Sequence, residues 1–277
     1  MEIQCLPIET RGLTFDVYAG GPADGPPVLL LHGFPQDHRE FDLLVPRLHE
    51  AGFRTYAMDQ RGSTPGARPS AVAAYRMAEV TADAVAVLDA LGIGSAHVVA
   101  HDWGAQVAWQ LAARHPERVR TLTAVSVPHP KATRLALRVR PTQRARYTYV
   151  RVFRSPAAER LLLAGGAAAL KAILRPIGKR AALYVAAMRE PGRLTGGLNW
   201  YRAFSGDQLA DVRVITVPTT YVWSEKDGIV TLTAALRTAD WVSADYRLVA
   251  LRGVSHWVPE QAPEALADVT LDRIGNV

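Results

Sequence analysis

The sequence predicts an α/β fold: a mostly parallel sheet flanked by helices, with a helical cap inserted into it. Apolar strands alternate with helical segments along most of the chain, which is typical of parallel sheets. The segment Val28–Leu31 is continuously apolar, as expected of a strand covered on both faces. The alternation stops after Pro128 and returns at Thr219. We therefore expect residues 1–128 and 213–277 to form an α/β core, and residues 129–212 to form the cap.

The individual elements follow from local patterns. Leu13–Tyr18 alternates apolar and polar residues, as a half-buried strand does. Apolar residues recur at helical spacing over Tyr75–Leu91, and Gly92 supplies a stop. Pro263 suits the first turn of a closing helix that runs to Arg273. The other expected strands are Phe53–Met58, a strand beginning at Val98, Val119–Val127, Thr219–Trp223 and Tyr246–Leu251. The other expected helices are Arg39–Glu50, Gly104–Arg114 and Thr231–Ala239.

Composition narrows the class of protein. With 277 residues, 49% hydrophobic and 21% charged, the chain is an ordinary globular sequence that is long enough to bury a substantial core. Cys5 is the single cysteine, which excludes an internal disulfide and fits a reducing compartment. Residues 1–12 lack the apolar core of a signal peptide, and no run of 18 apolar residues is present. We expect a cytoplasmic monomer or homodimer without a membrane span.

The net charge of +6 is unevenly distributed along the chain. Residues 131–193 contain fifteen Lys and Arg but only two acids, Glu159 and Glu190. A basic block can bind nucleic acid, membrane surfaces or anionic substrates. No nucleic-acid-binding motif accompanies it, so we interpret the block as a solvated helical surface and expect no nucleic-acid partner.

The sequence around Asp102 carries the clearest functional signal. An apolar strand begins at Val98 and a helix begins at Gly104, which places Asp102 at the turn between them. Small residues, Ala100 and Gly104, stand two positions before and two after it. This is the pattern of a nucleophile elbow, a turn so tight that larger flanking side chains would clash. A carboxylate at this position attacks saturated carbon and becomes an alkyl ester, whereas a Ser nucleophile attacks a carbonyl.

Further polar residues follow other predicted strands. His32-Gly33, Asp102, Asp227 and His256 each come directly after a strand, and such positions meet at one edge of a parallel sheet. Asp102, Asp227 and His256 occur in the chain order nucleophile, acid, base, which is that of α/β-hydrolase triads. An ester on Asp102 breaks down when water attacks its carbonyl carbon, so His256 would be the base and Asp227 would orient it.

These motifs resemble those of the epoxide hydrolases of the α/β-hydrolase fold, over almost the whole chain. The resemblance implies conversion of a small, apolar epoxide to a vicinal diol without a cofactor. It also implies an oxyanion hole for Asp102, formed by the backbone N–H groups of Phe34 and Trp103. The motifs are His32-Gly33-Phe34-Pro35, His101-Asp102-Trp103-Gly104-Ala105, Asn199-Trp200-Tyr201-Arg202 and Gly253-Val254-Ser255-His256-Trp257-Val258-Pro259.

The resemblance further implies two cap tyrosines that stabilise the alkoxide formed when the epoxide opens. Tyr201 matches one of them through its Asn-Trp-Tyr-Arg context. Tyr149 fits the other best, because a phenylalanine four positions on and a proline seven positions on match the family segment; Tyr147 is the nearest rival. A phenol is neutral at pH 7 and can donate a hydrogen bond to an epoxide oxygen.

Two other functions compete with this interpretation. A haloalkane or haloacetate dehalogenase would use the same Asp nucleophile, and Trp103 suits both enzymes. However, Phe34 offers no side-chain donor for a halide, and Tyr201 favours an epoxide oxygen. A repurposed, non-hydrolytic member of a biosynthetic pathway is the third alternative. The eight histidines lack metal-ligand spacing and no Gly-rich phosphate loop is present, so we expect no metal. In a loop, Asp59 and Arg61 are expected to pair.

Overall fold

The computed structural model describes residues 3–206 and 212–276, which contain an eight-stranded sheet in the order β1-β2-β4-β3-β5-β6-β7-β8. The first two strands pair in antiparallel fashion, as do β2 and β4, and all other neighbours are parallel. The strands are β1 Gln4–Thr10, β2 Leu13–Gly20, β3 Pro27–Leu31, β4 Arg54–Met58, β5 Ala96–His101, β6 Val119–Val125, β7 Thr219–Ser224 and β8 Tyr246–Leu251.

Helices connect these strands, and α4 to α9 all lie between β6 and β7. The helices are α1 Val45–Glu50, α2 Met77–Ala90, α3 Trp103–Arg114, α4 Pro130–Val139, α5 Pro141–Arg146, α6 Tyr149–Arg154, α7 Ala158–Leu174, α8 Ala181–Ala187, α9 Arg193–Ala203, α10 Leu232–Leu236, α11 Val258–Gln261 and α12 Pro263–Gly275. Short 3₁₀ helices are His38–Phe41, Pro65–Ala67, Val72–Tyr75, Pro116–Arg118, Arg175–Arg180 and Arg237–Trp241.

Alternating residues of the central strands pack on opposite faces of the sheet. On β5, Val98 and Ala100 join the apolar cluster that includes α2 and α3, whereas Val99 joins the cluster that includes α1 and α12. This two-sided burial explains why β3 is apolar along its whole length and why the centre of β5, residues 98–100, is apolar. The α/β-hydrolase fold expected from the sequence, a mostly parallel sheet flanked by helices, is therefore confirmed.

Three local expectations were wrong or incomplete. The strand Gln4–Thr10 went unpredicted, because it is a half-exposed edge strand with a weak alternation of apolar residues. The expected helix Arg39–Glu50 is a 3₁₀ turn followed by the shorter α1, because the side chain of Asp37 caps the turn and Pro46 starts a new helix. Asp59 and Arg61 do not pair with each other.

These two residues pair with partners from other elements. The guanidinium of Arg61 donates to both oxygens of the buried carboxylate of Asp83 on α2, at 2.6 Å each, and to the carbonyl oxygen of Ala74 at 2.9 Å. The carboxylate of Asp59 instead accepts the backbone N–H of His38 at 2.8 Å and contacts its ring. Asp59 and Arg61 are close in sequence, but the turn between the two residues directs their side chains to different elements.

The inserted helices contain one stretch, Ala158–Ala187, that is long and apolar enough to cross a membrane by length and composition. Its backbone leaves helical geometry at residues 164–167 and again at Gly178, so it is a series of short helices. A bilayer-spanning helix needs about 20 consecutive apolar residues. The expectation of no membrane span stays a prediction, as does the division into core and cap.

Candidate active site

The turn between β5 and α3 holds Asp102 in a strained conformation, with φ of +50° and ψ of −118°. A Cβ atom on Gly104 would lie 2.0 Å from the carbonyl oxygen of Leu31, and one on Gly33 would lie 2.3 Å from Cβ of Asp102. Such distances are impossible for real atoms. Small residues are therefore required around Asp102, as the elbow pattern predicts.

The structure brings Asp102, Asp227 and His256 together at the carboxyl edge of the sheet. Nε2 of His256 lies 3.3 Å from Oδ2 of Asp102, and its Nδ1 lies 3.0 Å from Oδ2 of Asp227. The other oxygen of Asp227 accepts the N–H groups of Ile229 at 2.6 Å and Val230 at 2.9 Å. All three triad side chains are buried. The imidazole is thus held between two carboxylates, one of which is fixed by its own loop.

The charges of this site depend on one another. Burial alone would raise the pKa of Asp102, but the hydrogen bond and positive charge of His256 hold it below its ordinary value. Burial alone would lower the pKa of His256, but the carboxylates of Asp227 and Asp102 raise it to about 10. At neutral pH the site therefore contains an ionised Asp102 and an imidazolium.

One of the two expected oxyanion-hole donors contacts Asp102. The backbone N–H of Phe34 donates to Oδ1 of Asp102 at 2.9 Å. The N–H of Trp103 opens α3 beside Asp102, but the contacts of residues 3–206 and 212–276 include no hydrogen bond from it to this carboxylate. The contribution of Trp103 to an oxyanion hole stays a prediction.

A cavity of about 420 Å³ opens onto Asp102 and His256. Tyr149 and Tyr201 both line it, and their ring centroids are 6.1 Å apart. Burial raises the pKa of both phenols well above the ordinary value of 10, so both carry their protons at neutral pH. The inserted helices thus place two phenol O–H groups in the same cavity as the carboxylate.

The rival tyrosine is placed differently. Tyr147 is absent from the lining of the larger cavity and faces a smaller one of about 110 Å³, which Asp102, Tyr149 and Tyr201 also line. Tyr149 therefore reaches both spaces next to Asp102, which favours it over Tyr147 as the partner of Tyr201.

Other residues support the site without a signal in the sequence. Arg146 donates to the carbonyl oxygens of Asp227 at 2.8 Å and Val230 at 2.7 Å, so the inserted α5 braces the loop of the triad acid. The buried Glu40 lies near His101, whose ring contacts the main chain of His256. All of these contacts join residues more than 60 positions apart in the sequence, so no local pattern reveals them.

Asp37, His38 and Asp59 place ligand-type atoms within 4.8 Å of one another. Asp37 is already paired, since its carboxylate accepts hydrogen bonds from Arg39 and Arg193. Asp59 accepts from His38. These pairings occupy both carboxylates with protein partners, and the expectation of no metal stays a prediction.

Comparison with known proteins agrees with this architecture. The model of the alpha/beta hydrolase fold family matches residues 26–263. The AB hydrolase superfamily protein YfhM of Bacillus subtilis is 31% identical over 285 residues, covering 99% of both chains. Epoxide hydrolase A of Mycobacterium tuberculosis is 31% identical over 311 residues, covering 96% of this chain and 95% of that protein.

A solved structure extends the likeness to three dimensions. The crystal structure of epoxide hydrolase A from Mycobacterium thermoresistibile matches with a TM-score of 0.86 and 25% identity, covering 99% of this chain and 98% of that one. The chain belongs to the α/β-hydrolase fold family and, within it, is similar to proteins named epoxide hydrolases.

Proposed function

We propose that this protein is an epoxide hydrolase that works through an alkyl-enzyme ester on Asp102. The observation that carries the proposal is the cavity in which Asp102 faces the phenols of Tyr149 and Tyr201. A carboxylate is the nucleophile for saturated carbon, and phenols are neutral donors for an epoxide oxygen. The relatives named epoxide hydrolases support the same activity.

In the first step, Oδ2 of Asp102 attacks a ring carbon of the epoxide and the carbon–oxygen bond of the ring breaks. Oδ1 is held by the N–H of Phe34, so it becomes the carbonyl oxygen of the ester. The alkoxide that leaves takes a proton from Tyr149 or Tyr201. Because the pKa values of both phenols are raised, a proton is available throughout the neutral range.

Before the second step, the imidazolium of His256 gives up its proton, which replaces the one that the tyrosine donated to the alkoxide. In the second step, neutral His256 removes a proton from water, which attacks Cγ of the Asp102 ester, and that proton then passes to the leaving oxygen of the diol; the acid proton of the regenerated carboxyl restores the imidazolium. The resting pKa of His256, about 10, is too high for a base at neutral pH. Alkylation removes the negative charge of Asp102, which is one of the two charges that raise this pKa. The first step therefore converts His256 into a base. The ester then splits between Cγ and Oδ2, releasing the diol and restoring Asp102.

The cavity walls indicate the class of substrate. Beside the reacting groups they are largely apolar and aromatic, with Phe34, Phe153, Ile173, Ile229 and Trp257 among them. We propose a small, apolar epoxide that is hydrolysed without a cofactor. Residues 129–212 would act as the cap over the core formed by 1–128 and 213–277, and a cytoplasmic monomer or homodimer remains our expectation.

A haloalkane or haloacetate dehalogenase is the alternative. A leaving halide needs side-chain N–H donors. The ring of Trp103 packs edge-on against that of Tyr201, with centroids 4.9 Å apart, and Trp103 does not line the larger cavity. Phe34 contributes only an apolar ring, packed edge-on against Tyr201 at 5.5 Å. These contacts favour an epoxide oxygen over a halide, and a non-hydrolytic member of a biosynthetic pathway is the third possibility.

A panel of aryl and alkyl epoxides and halogenated substrates separates these functions. We expect purified protein to form vicinal diols from several epoxides without added metal or cofactor, measured by chromatography. Chloride or fluoride release without any diol would reverse the assignment in favour of a dehalogenase. An Asp102→Ala control should abolish either activity, because both need the carboxylate.

A further inference from the structure

The buried Glu40 has no role in the mechanism above, although it lies close to the triad. It belongs to the 3₁₀ turn His38–Phe41 and is completely buried. Its Oε2 lies 3.2 Å from Nδ1 of His101, and its Oε1 has no hydrogen-bond partner among the described residues. No Lys or Arg of residues 3–206 or 212–276 pairs with it. A buried carboxylate in such surroundings would be costly.

His101 connects Glu40 to the triad base. Its ring is also completely buried, and Nε2 lies 2.9 Å from the carbonyl oxygen of His256. The hydroxyl of Ser126 donates to the same carbonyl at 2.7 Å. A carbonyl oxygen can only accept, so Nε2 of His101 carries a hydrogen. A neutral imidazole has one N–H, which leaves Nδ1 as an acceptor facing Glu40.

The surroundings favour a neutral pair over an imidazolium and a carboxylate. Burial and the charges of Glu260, Asp102 and Asp37 raise the pKa of Glu40, outweighing the nearby N–H of Gly33. Burial and the positive charge of His256 lower the pKa of His101 to about 4, although Asp102 and Asp227 oppose this. With His101 neutral and accepting at Nδ1, the hydrogen of this contact must come from Glu40.

We propose that Glu40 is a protonated acid at neutral pH and a positioning residue for the triad base. Its O–H donates to Nδ1 of His101, whose Nε2–H donates to the carbonyl oxygen of His256. The chain of two hydrogen bonds fixes the backbone of His256 without adding a negative charge. A third carboxylate charge here would hold the proton on His256 more tightly, so less of the unprotonated imidazole would be available to activate water at neutral pH. The catalytic consequence rests on the proposed function; the protonation of Glu40 does not.

The first test needs no substrate. Infrared difference spectra of folded wild-type protein and Glu40→Gln at neutral pH should contain the carbonyl band of a protonated carboxyl that is present only in the wild type. A carboxylate band in its place would overturn the proposal. Because this readout is independent of turnover, it separates a failure of this inference from a failure of the proposed activity.

The second test separates the two chemical steps. Glu40→Leu removes the donor, and we expect breakdown of the alkyl-enzyme to slow by about tenfold to a hundredfold while its formation is little changed. Glu40→Gln, whose neutral amide can donate to Nδ1, should recover most of the lost rate. Equal losses in both variants would show that the negative charge is needed and would overturn the proposal. If Glu40→Leu does not fold, the rate of the Glu40→Gln variant and the infrared band still test whether Glu40 is protonated.

Discussion

At the scale of single residues, we propose that the imidazole of His256 first stabilises the ionised Asp102 and then acts as the base. His256 lies between the carboxylates of Asp102 and Asp227, at 3.3 and 3.0 Å, and is protonated in the resting site. In the proposed mechanism, esterification of Asp102 removes one of these charges. The same geometry that keeps Asp102 ionised would thus release His256 as a base once Asp102 has reacted, without a change of conformation.

His256→Gln should separate the two steps. The variant keeps a neutral group beside Asp102 but cannot activate water, so the alkyl-enzyme should accumulate as a mass increase equal to that of the substrate. In wild-type protein, a single turnover in ¹⁸O water should place the label in Asp102 and not in the diol. Loss of turnover without any adduct would contradict the role of His256 as base of the second step.

The cap tyrosines offer a matched pair of substitutions two positions apart. Tyr149→Phe should slow alkylation by about 10²-fold, because the alkoxide loses a proton donor. Tyr147→Phe should have a small effect, since Tyr147 does not line the larger cavity that holds Asp102 and His256. Pre-steady-state measurement of the alkylation rate checks both. The opposite ranking would move the proton donor from Tyr149 to Tyr147.

At the scale of secondary structure, the tight turn at Asp102 requires a glycine at position 104. The N-terminal end of α3 approaches the end of β3 so closely that Gly104 has no room for a side chain. This contact holds Asp102 at positive φ and directs its carboxylate to the N–H of Phe34. The strained turn is possible because β3 and β5 are parallel neighbours in the buried centre of the sheet.

Gly104→Ala should therefore damage both stability and activity. Its Cβ would lie 2.0 Å from a carbonyl oxygen of β3, and relieving the clash must move the strand or the helix. We expect a loss of about 2 to 3 kcal/mol in the free energy of unfolding and a clear loss of turnover. Gly94→Ala is the matched control, because nothing lies within 4 Å of its added Cβ. Denaturant titration of both variants is the measurement, and equal stabilities would refute the packing argument.

At the scale of the whole molecule, buried ion pairs join the inserted helices to the rest of the protein. Asp37, in the loop after β3, accepts hydrogen bonds from its neighbour Arg39 and from Arg193 at the start of α9. These positive charges outweigh burial and lower the pKa of Asp37 from 3.8 to about 2. The indole of Trp200 adds a second link, donating to the carbonyl oxygen of Arg61 at 2.8 Å.

Asp37→Asn should destabilise the protein by about 3 kcal/mol, because it leaves the buried guanidinium of Arg193 with only the more exposed Glu190 as its ion partner. The folded-state pKa is the lower one, so the contribution of the carboxylate is complete above about pH 4 and disappears as pH falls towards 2. Denaturation curves of wild type and variant should therefore converge in acid. Asp42→Asn is the control: its carboxylate is exposed and 3.3 Å from Arg180, so its removal should cost less than about 1 kcal/mol. Equal, pH-independent effects would contradict the assignment.

The sheet architecture, and the meeting of Asp102, Asp227 and His256 at one edge of it, could be predicted from the amino-acid pattern. Strands covered on both faces are recognisable as apolar runs, and a parallel sheet brings the residues that follow its strands to one edge. Asp102, Asp227 and His256 could be found for that reason, as could the need for small residues at 100 and 104. The function of the tyrosines came from a resemblance and stays a proposal.

How distant side chains meet depends on the folded structure and not on any local pattern. The pairing of Arg61 with Asp83, the support of the Asp227 loop by Arg146 and the contact of Glu40 with His101 all join separate elements. Burial and hydrogen-bond partners set the protonation of Glu40 and His256, and both depend on packing across the molecule. A linear pattern records which side chains are present, whereas their electrostatic surroundings exist only after the chain has folded.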